Sequence, residues 1–281
     1  MTAAELVDHL RGIGVQLWAD GENLRYRAPQ QVLTADLKAQ LAAVKTDVIT
    51  LLAEETTLLR APQDRFEPFP LTDVQAAYLV GRTSAFQWGG VGCHGYAEFA
   101  VDHTVATPSA EQYREAWRKV ADRHDMLRCV VHPEGYQVIC PDVPDDGLVI
   151  HQCHTVEDVA GVRAGVTEHL RNRIYPLGEA PMYDLVITMG PDDTVVHLSV
   201  DLLIADFVSI SILMTDFQQC LLDPECDLAP VDFSFRDYLL NLARERSSAA
   251  GSARRERDLA YWRDRLDQLP SPLSLPVLPD D

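Results

Sequence analysis

Apolar positions recur with two different periods along the chain, and each switch of period marks a change of element. Leu6, Leu10 and Ile13 follow Thr2-x-x-Glu5 at helical spacing. A short amphipathic helix is therefore expected to open on a capping box and to end at Gly12 or Gly14. Alternation then takes over. Val15-Gln16-Leu17-Trp18-Ala19 and Asn23-Leu24-Arg25-Tyr26-Arg27 read as strands, with Asp20-Gly21-Glu22 as the hairpin turn between them. After Ala28-Pro29, Thr34 precedes Leu37, Leu41, Val44, Val48, Leu51 and Leu52, which predicts one second helix with a single apolar face. Residues 60–68 carry two prolines and several charges but no period, and read as a linker.

Beyond that linker helical and strand patterns intermix, as in an α/β (α+β) domain. Thr72-x-x-Gln75 and Ser109-x-x-Gln112 are capping-box starts, the second ahead of Tyr113, Trp117 and Val120 on one side. Gly135 to Ile139 reads as a strand, and Thr155 begins a helix expected to reach about Ile174. Met182 to Met189 and Thr194 to Val200 form a hairpin pattern around Gly190-Pro191-Asp192-Asp193. Phe207 to Leu222 is a strongly apolar helix. Tyr238 to Arg246 and Arg254 to Leu269 read as two more, separated by Ser247-Ser248-Ala249-Ala250-Gly251-Ser252.

Composition narrows the classes of partner. Of 281 residues 47% are hydrophobic, enough for a real core, and a formal charge of −19 argues against nucleic acid or an anionic membrane surface. No apolar run approaches the roughly 18 residues that span a bilayer, and the start lacks a basic region followed by an apolar one. A cytoplasmic location is the expectation. The six cysteines form no Cys-x2-Cys pair and are expected to be reduced and mostly buried. His151-Gln152-Cys153-His154 is a local cluster of soft ligands, but no second ligand group lies at zinc-site spacing, so no metal is expected. The tryptophans Trp18, Trp88, Trp117 and Trp262 read as core or interface anchors.

Candidate chemistry lies where the strand Thr194 to Val200 runs into Asp201-Leu202-Leu203-Ile204-Ala205-Asp206-Phe207-Val208-Ser209. A carboxylate at the end of a core strand is partly desolvated unless something neutralises or hydrogen-bonds it. The spacing Asp-x4-Asp-x2-Ser, strand before and helix after, resembles the signature of the heterocyclization domains of nonribosomal peptide synthetases. There it replaces the His-His-x3-Asp-Gly of ordinary condensation domains. Phe69-Pro70-Leu71-Thr72 through Gln75, Ala77, Tyr78 and Gly81-Arg82 is similar to the opening segment of that family. Gly89 to Phe99 and Arg123-His124-Asp125-Met126-Leu127-Arg128 are similar to two further blocks, in the family's order. Residues 1–59, with Gly-Val-x-Leu-Trp and Arg-x-Arg-Ala-Pro, resemble a TubC-type N-terminal docking domain.

These resemblances imply a small αββα docking domain at 1–59, a linker at 60–68 and, from 69 to 281, the N-terminal, chloramphenicol-acetyltransferase-like lobe of a cyclization domain. The implied reaction joins a carrier-bound acyl donor to Cys, Ser or Thr on the next carrier protein. Attack of the side chain on the new amide and loss of water then give a thiazoline or oxazoline. The chain itself would bind no cofactor, phosphopantetheine being carried by the partner peptidyl or aryl carrier proteins. The stretch from Leu269 to Pro276 is similar to the crossover into a second lobe, so that lobe is expected as a partner and this chain alone is expected to be inactive.

At the site, Asp201 stands where the condensation motif has its first His and Leu202 where it has the second. Asp201 either orders a tunnel by hydrogen bonds or transfers a proton. Asp206 is expected to be the structural ion-pair partner of Arg128 or Arg123, and Ser209 to cap the helix from Phe207. His124 is expected at a helix end. An open edge at Asn23, Leu24, Arg25, Tyr26 and Arg27 would take the C-terminal peptide of an upstream subunit as an added strand, with Arg25 and Arg27 selecting acidic side chains. Against this stands a non-catalytic docking or scaffold protein for carrier proteins. A free-standing acyltransferase is disfavoured because His-x3-Asp is missing.

Overall fold

The computed structural model describes residues 2–29, 32–56, 58–83, 89–101, 108–144 and 147–270. Trp88 and the proline-rich stretch from 271 onward therefore lie outside the described residues. Two compact units result, one of residues 1–59 with 241–281 and one of residues 60–240.

In the first unit, α1 (Ala3–Gly12) opens on the expected box, Thr2 Oγ1 accepting from Glu5 N at 3.2 Å and Glu5 accepting from Thr2 N at 2.8 Å. Gly14 takes φ 87°, a left-handed turn that L side chains rarely adopt, and leads into the hairpin. β1 (Gln16–Asp20) and β2 (Asn23–Arg27) pair antiparallel, with Trp18 opposite Arg25 and Leu17 opposite Tyr26. Period two sorts the side chains. Leu17 joins Leu6, Val7, Leu10, Leu41, Val48 and Leu52 in the core, while Trp18, Arg25 and Arg27 face out. The expected second helix is two: α2 (Ala35–Ala43), capped by Thr34, and α3 (Lys45–Thr56). Val44 alone leaves helical geometry between them, and neither Gly nor Pro marks that break. Also in this unit, Asn241 exchanges two hydrogen bonds with the backbone of Leu59, at 2.9 and 2.8 Å. The Ser/Ala stretch expected to separate two helices is itself mostly helical. Ser248 caps α9 (Ala249–Arg263), which starts five residues earlier than expected because Ser248 Oγ takes Gly251 N at 3.0 Å.

The second unit is a four-stranded sheet of order β4-β9-β8-β7, with β4 (His94–Val101), β7 (Leu148–Gln152), β8 (Tyr183–Met189) and β9 (Thr194–Asp201). β8 and β9 form the expected hairpin, β9 also pairs antiparallel with β4, and β7 runs parallel to β8. One face is apolar and packs on α5 (Ala110–Arg123) and α7 (Phe207–Leu222). There the buried Trp117 sets its ring edge-on to Tyr183 at 5.3 Å and to Phe217 at 5.6 Å, and donates Nε1–H to the Tyr183 hydroxyl at 3.2 Å. The other face is polar and lies under α6 (Val156–Leu170). His197 on β9 is fully buried there, its Nδ1 3.1 Å from the Tyr96 hydroxyl and 3.3 Å from Glu98 Oε2. α6 stops four residues short of expectation, and its last carbonyl, Leu170 O, faces His94 Nε2 at 3.1 Å.

A small sheet of order β3-β6-β5 adjoins α4 (Asp73–Gly81), its strands being β3 (Phe69–Pro70), β5 (Cys129–Val131) and β6 (Tyr136–Ile139). α8 (Phe235–Ser247) starts before Tyr238 because Ser234 Oγ takes Asp237 N at 3.0 Å. Residues 60–68 are not a free linker. Ala61 N donates to Asp237 at 3.1 Å, Arg65 clasps Asp125 with two bonds of 2.8 and 2.6 Å, and Glu67 O accepts from Arg236 at 3.3 Å. Of the cysteines, Cys129, Cys220 and Cys226 are buried, but Cys93 is exposed and Cys140 and Cys153 lie between.

Candidate active site

Asp201 is the last residue of β9, a strand buried along its whole length between two neighbours, so its carboxylate starts from a place water does not reach. It is 1% exposed. The backbone pins it on both sides, Asp201 N donating to Met182 O at 3.0 Å and Leu202 N to Cys93 O at 2.9 Å. Its Oδ1 accepts from Leu203 N at 2.9 Å, and its Oδ2 accepts from Arg82 Nη2. Arg82 is the residue just after α4, its side chain 7% exposed, and its other Nη donates to Tyr175 O at 2.8 Å. Burial works against the charge on Arg82, and the adjacent carboxylate compensates it.

A residue within α4 holds the same loop. Gln75, one helical face along from Arg82, donates to Leu203 O at 2.6 Å and to Gln137 Oε1 at 3.0 Å. Gln137 in turn donates to Pro70 O at 2.8 Å. The opening segment and the Asp-x4-Asp loop, 128 residues apart at the Gln75–Leu203 bond, are thus one hydrogen-bonded unit. Sequence reasoning named Arg82 as part of a segment but not as the partner of Asp201. The signal available was the need of a buried acid for a buried cation.

Asp206 corrects an expectation. It is exposed and pairs with neither Arg123 nor Arg128. It is the N-cap of α7, its Oδ1 accepting from Ser209 N at 2.7 Å and Ser209 Oγ at 2.6 Å. Those bonds hold the Asp206 carboxyl below its ordinary value, the Ser209 hydroxyl contributing most. Ser209 is accordingly a donor in the first turn and not the cap. Helix-start chemistry wins because the loop ends at the surface, where an acid needs no cation.

The two arginines do other work. Arg128, 3% exposed, donates to the carbonyls of Ala121 at 2.7 Å, Asp122 at 2.5 Å and Cys140 at 3.1 Å, and to Asp125 at 2.8 Å, closing the end of α5. Arg123 donates to Ala229 O at 2.9 Å and pairs with Asp216 on α7. His124 sits at the end of α5, as expected, with Nε2 2.6 Å from Asp216 Oδ2. Asn23 to Arg27 lie on β2, whose ladder partner among the described residues is β1 alone. Arg25 is shared with Asp20 at 3.1 Å, both more than half exposed.

A buried acid–guanidinium pair thus stands at the end of a central strand, clamped from the opening helix of the same domain. A family model for the condensation domain matches residues 93–280, and one for the TubC N-terminal docking domain matches residues 4–54. The chain belongs to the condensation-domain family and carries a TubC-type docking domain ahead of it, the docking-plus-cyclization arrangement of nonribosomal peptide synthetases. It is similar to pyochelin synthetase PchF of Pseudomonas aeruginosa, 34% identical over 279 residues, covering 99% of this chain and 15% of that protein. It is also similar to phenyloxazoline synthase MbtB of Mycolicibacterium paratuberculosis, 32% identical over 225 residues, covering 77% of this chain and 18% of that one. The solved cyclization-docking bidomain of EpoB from Sorangium cellulosum superposes with a TM-score of 0.72 at 33% identity, covering 99% of this chain and 55% of the other. The chain thus spans a small part of these curated relatives and about half of that bidomain. No helix among the described residues is long and apolar enough to cross a membrane.

Proposed function

We propose that this chain docks a synthetase subunit onto an upstream one and contributes the donor-side lobe of a heterocyclization domain. A carrier-bound acyl donor meets a Cys, Ser or Thr thioester. The amine attacks the donor thioester, an amide forms and the donor's thiol leaves with a proton. The side-chain thiol or hydroxyl then adds to the amide carbonyl, and the former carbonyl oxygen departs as water. The upstream subunit's C-terminal peptide binds at the hairpin edge, and the thioester arms are brought by the peptidyl or aryl carrier proteins. The names of the related phenyloxazoline synthase and cyclization-docking bidomain support this reading.

The observation that carries it is the Arg82–Asp201 pair with the Gln75–Leu203 bond. Both oxygens of the Asp201 carboxylate are taken, one by the Arg82 guanidinium and one by Leu203 N, which leaves it to order the site loop. The remaining proton transfers fall to groups of the substrate or of other parts of the domain. In the synthetase polypeptide that contains these 281 residues, loaded donor and cysteinyl carrier proteins should yield a ring one water lighter than the linear product by mass spectrometry. Arg82→Gln should lower linear and cyclised product together by at least about tenfold, since it loosens a loop both steps share. Accumulation of linear product alone would move Asp201 to the dehydration step. Absence of any condensed product from the wild type would sink the reading.

A further inference from the structure

Beside the site loop, α7 and the 123–127 turn line a cavity of about 370 Å³ whose wall no step above uses. Its lining is chiefly apolar: Ile204 and Ala205 from the loop between the two acids, Leu213 from α7, and Phe233, Phe235 and Tyr238. The rings are already ordered, Phe235 stacking on Tyr238 at 6.0 Å and meeting Phe69 edge-on at 6.4 Å. A flat ring would find both faces and edges to pack against there.

Apart from the Ser234 and Tyr238 hydroxyls, which can turn either way, the polar side chains at this wall are committed or accept. Asp125 is taken by Arg65 and Arg128, and Arg123 by Asp216 and Ala229 O. His124 faces the carboxylate of Asp216 through Nε2 at 2.6 Å; a carboxylate can only accept, so in the neutral ring Nε2 carries the proton and Nδ1 is an acceptor. Ser209 has its hydroxyl proton committed to Asp206, leaving it an acceptor too. With aspartates behind this wall and acceptors on it, an anion is disfavoured and a neutral group with a donor is favoured.

We infer that this cavity binds a flat, neutral ring carrying one hydrogen-bond donor, a phenol or an indole, and that His124, positioned by Asp216, accepts from that donor. Its continuity with the loop of Asp201 makes the occupant a side chain or acyl head of the carrier-bound substrate, an assignment that rests on the function proposed above. Binding needs no turnover, so the two ideas fail separately.

The test titrates the 281-residue chain with phenol, indole and toluene, following histidine ring signals by NMR and, so that variants lacking His124 can be read too, the ligands' own signals. Saturable shifts at His124 are expected with phenol and indole, with half-saturation on the order of millimolar for ligands this small. Toluene should bind about fivefold more weakly, the factor one hydrogen bond supplies. Ile212→Trp at the exposed rim should block all three while leaving the melting midpoint unchanged. His124→Phe should erase the preference over toluene, and His124→Gln, which keeps an acceptor and a donor to Asp216, should retain it even if His124→Phe unfolds. No saturable shift, undiminished binding to Ile212→Trp, or equal binding of toluene and phenol would each overturn the proposal.

Discussion

The two acids of the Asp-x4-Asp loop differ by one physical variable, access to water, and their mutants should separate accordingly. Asp201 is 1% exposed and neutralises a guanidinium that is itself buried, whereas Asp206 is exposed and offers one helix cap. Removing Asp201 as Asp201→Ala strands Arg82 without a counter-charge, which costs about 3–5 kcal/mol. Asp206→Ala loses a cap, about 1 kcal/mol. Chemical denaturation of both should show the larger loss at Asp201, and equal losses would refute the buried pair. His197 makes a second prediction, of pH dependence. Burial lowers its pKa from the ordinary 6.5, outweighing the opposing pull of Glu98; Arg163 and His151 add to the lowering. The unfolded chain then binds the extra proton first, so stability is complete above about pH 6.5 and falls as pH drops from there toward the folded pKa. The Tyr96 hydroxyl also faces this imidazole and bonds in turn to Thr167, and Glu98 is held below its ordinary value by Arg163. Its own loss therefore comes at lower pH, below 4.5. Denaturation midpoints at pH 7.5 and 5.5 should diverge more in the wild type than in His197→Gln, and parallel curves would refute this.

At the scale of elements, what the sequence disclosed was what local chemistry decides. The capping boxes at Thr2, Thr72 and Ser109 all formed and Thr155 begins its helix as expected, because each start is settled within three residues. Phe207 to Leu222 was legible to the residue because its cap and apolar run agree. The break at Val44 was not, since no Gly or Pro imposes it and continuous apolar spacing argued for one helix. The helical start at Ala249 is masked because a run of small polar residues reads as a separator, although Ser248 is a good cap. Pairing across the chain was hidden for a different reason. That Asp201 needs a partner follows from burial, but choosing Arg82 over Arg123 or Arg128 requires knowing that α4 lies against the end of β9. The role of Asp206 departs from the one the family resemblance implies because its side chain is exposed and caps α7. The site was therefore visible as a set of residues, and its connections only as a structure.

For the whole molecule the charge is distributed unevenly, and that bears on how a partner is captured. Residues 1–59 hold five Lys or Arg against eight Asp or Glu, a formal −3, so the remaining 222 residues carry −16 of the −19. An acidic peptide approaching the chain meets repulsion from most of its surface and local attraction at the outward face of the hairpin. There Trp18, Arg25 and Arg27 stand together, an aromatic flanked by cations on a hairpin whose strands pair only with each other among the described residues. The two arginines are not equivalent. Arg25 is already shared with Asp20 at 3.1 Å, while Arg27 makes no ion pair among the described residues. Arg27→Glu should thus weaken binding of an acidic upstream tail more than Arg25→Glu does, by something like tenfold against threefold at low salt, since exposed pairs contribute little individually. Raising salt from about 0.01 M to 0.15 M shortens the screening length from roughly 30 to 8 Å, so the wild type should drift toward the Arg27→Glu value. Calorimetric titration of a tail peptide at both salts decides it, and an Arg27→Glu chain that binds like wild type at low salt would exclude this face as the dock.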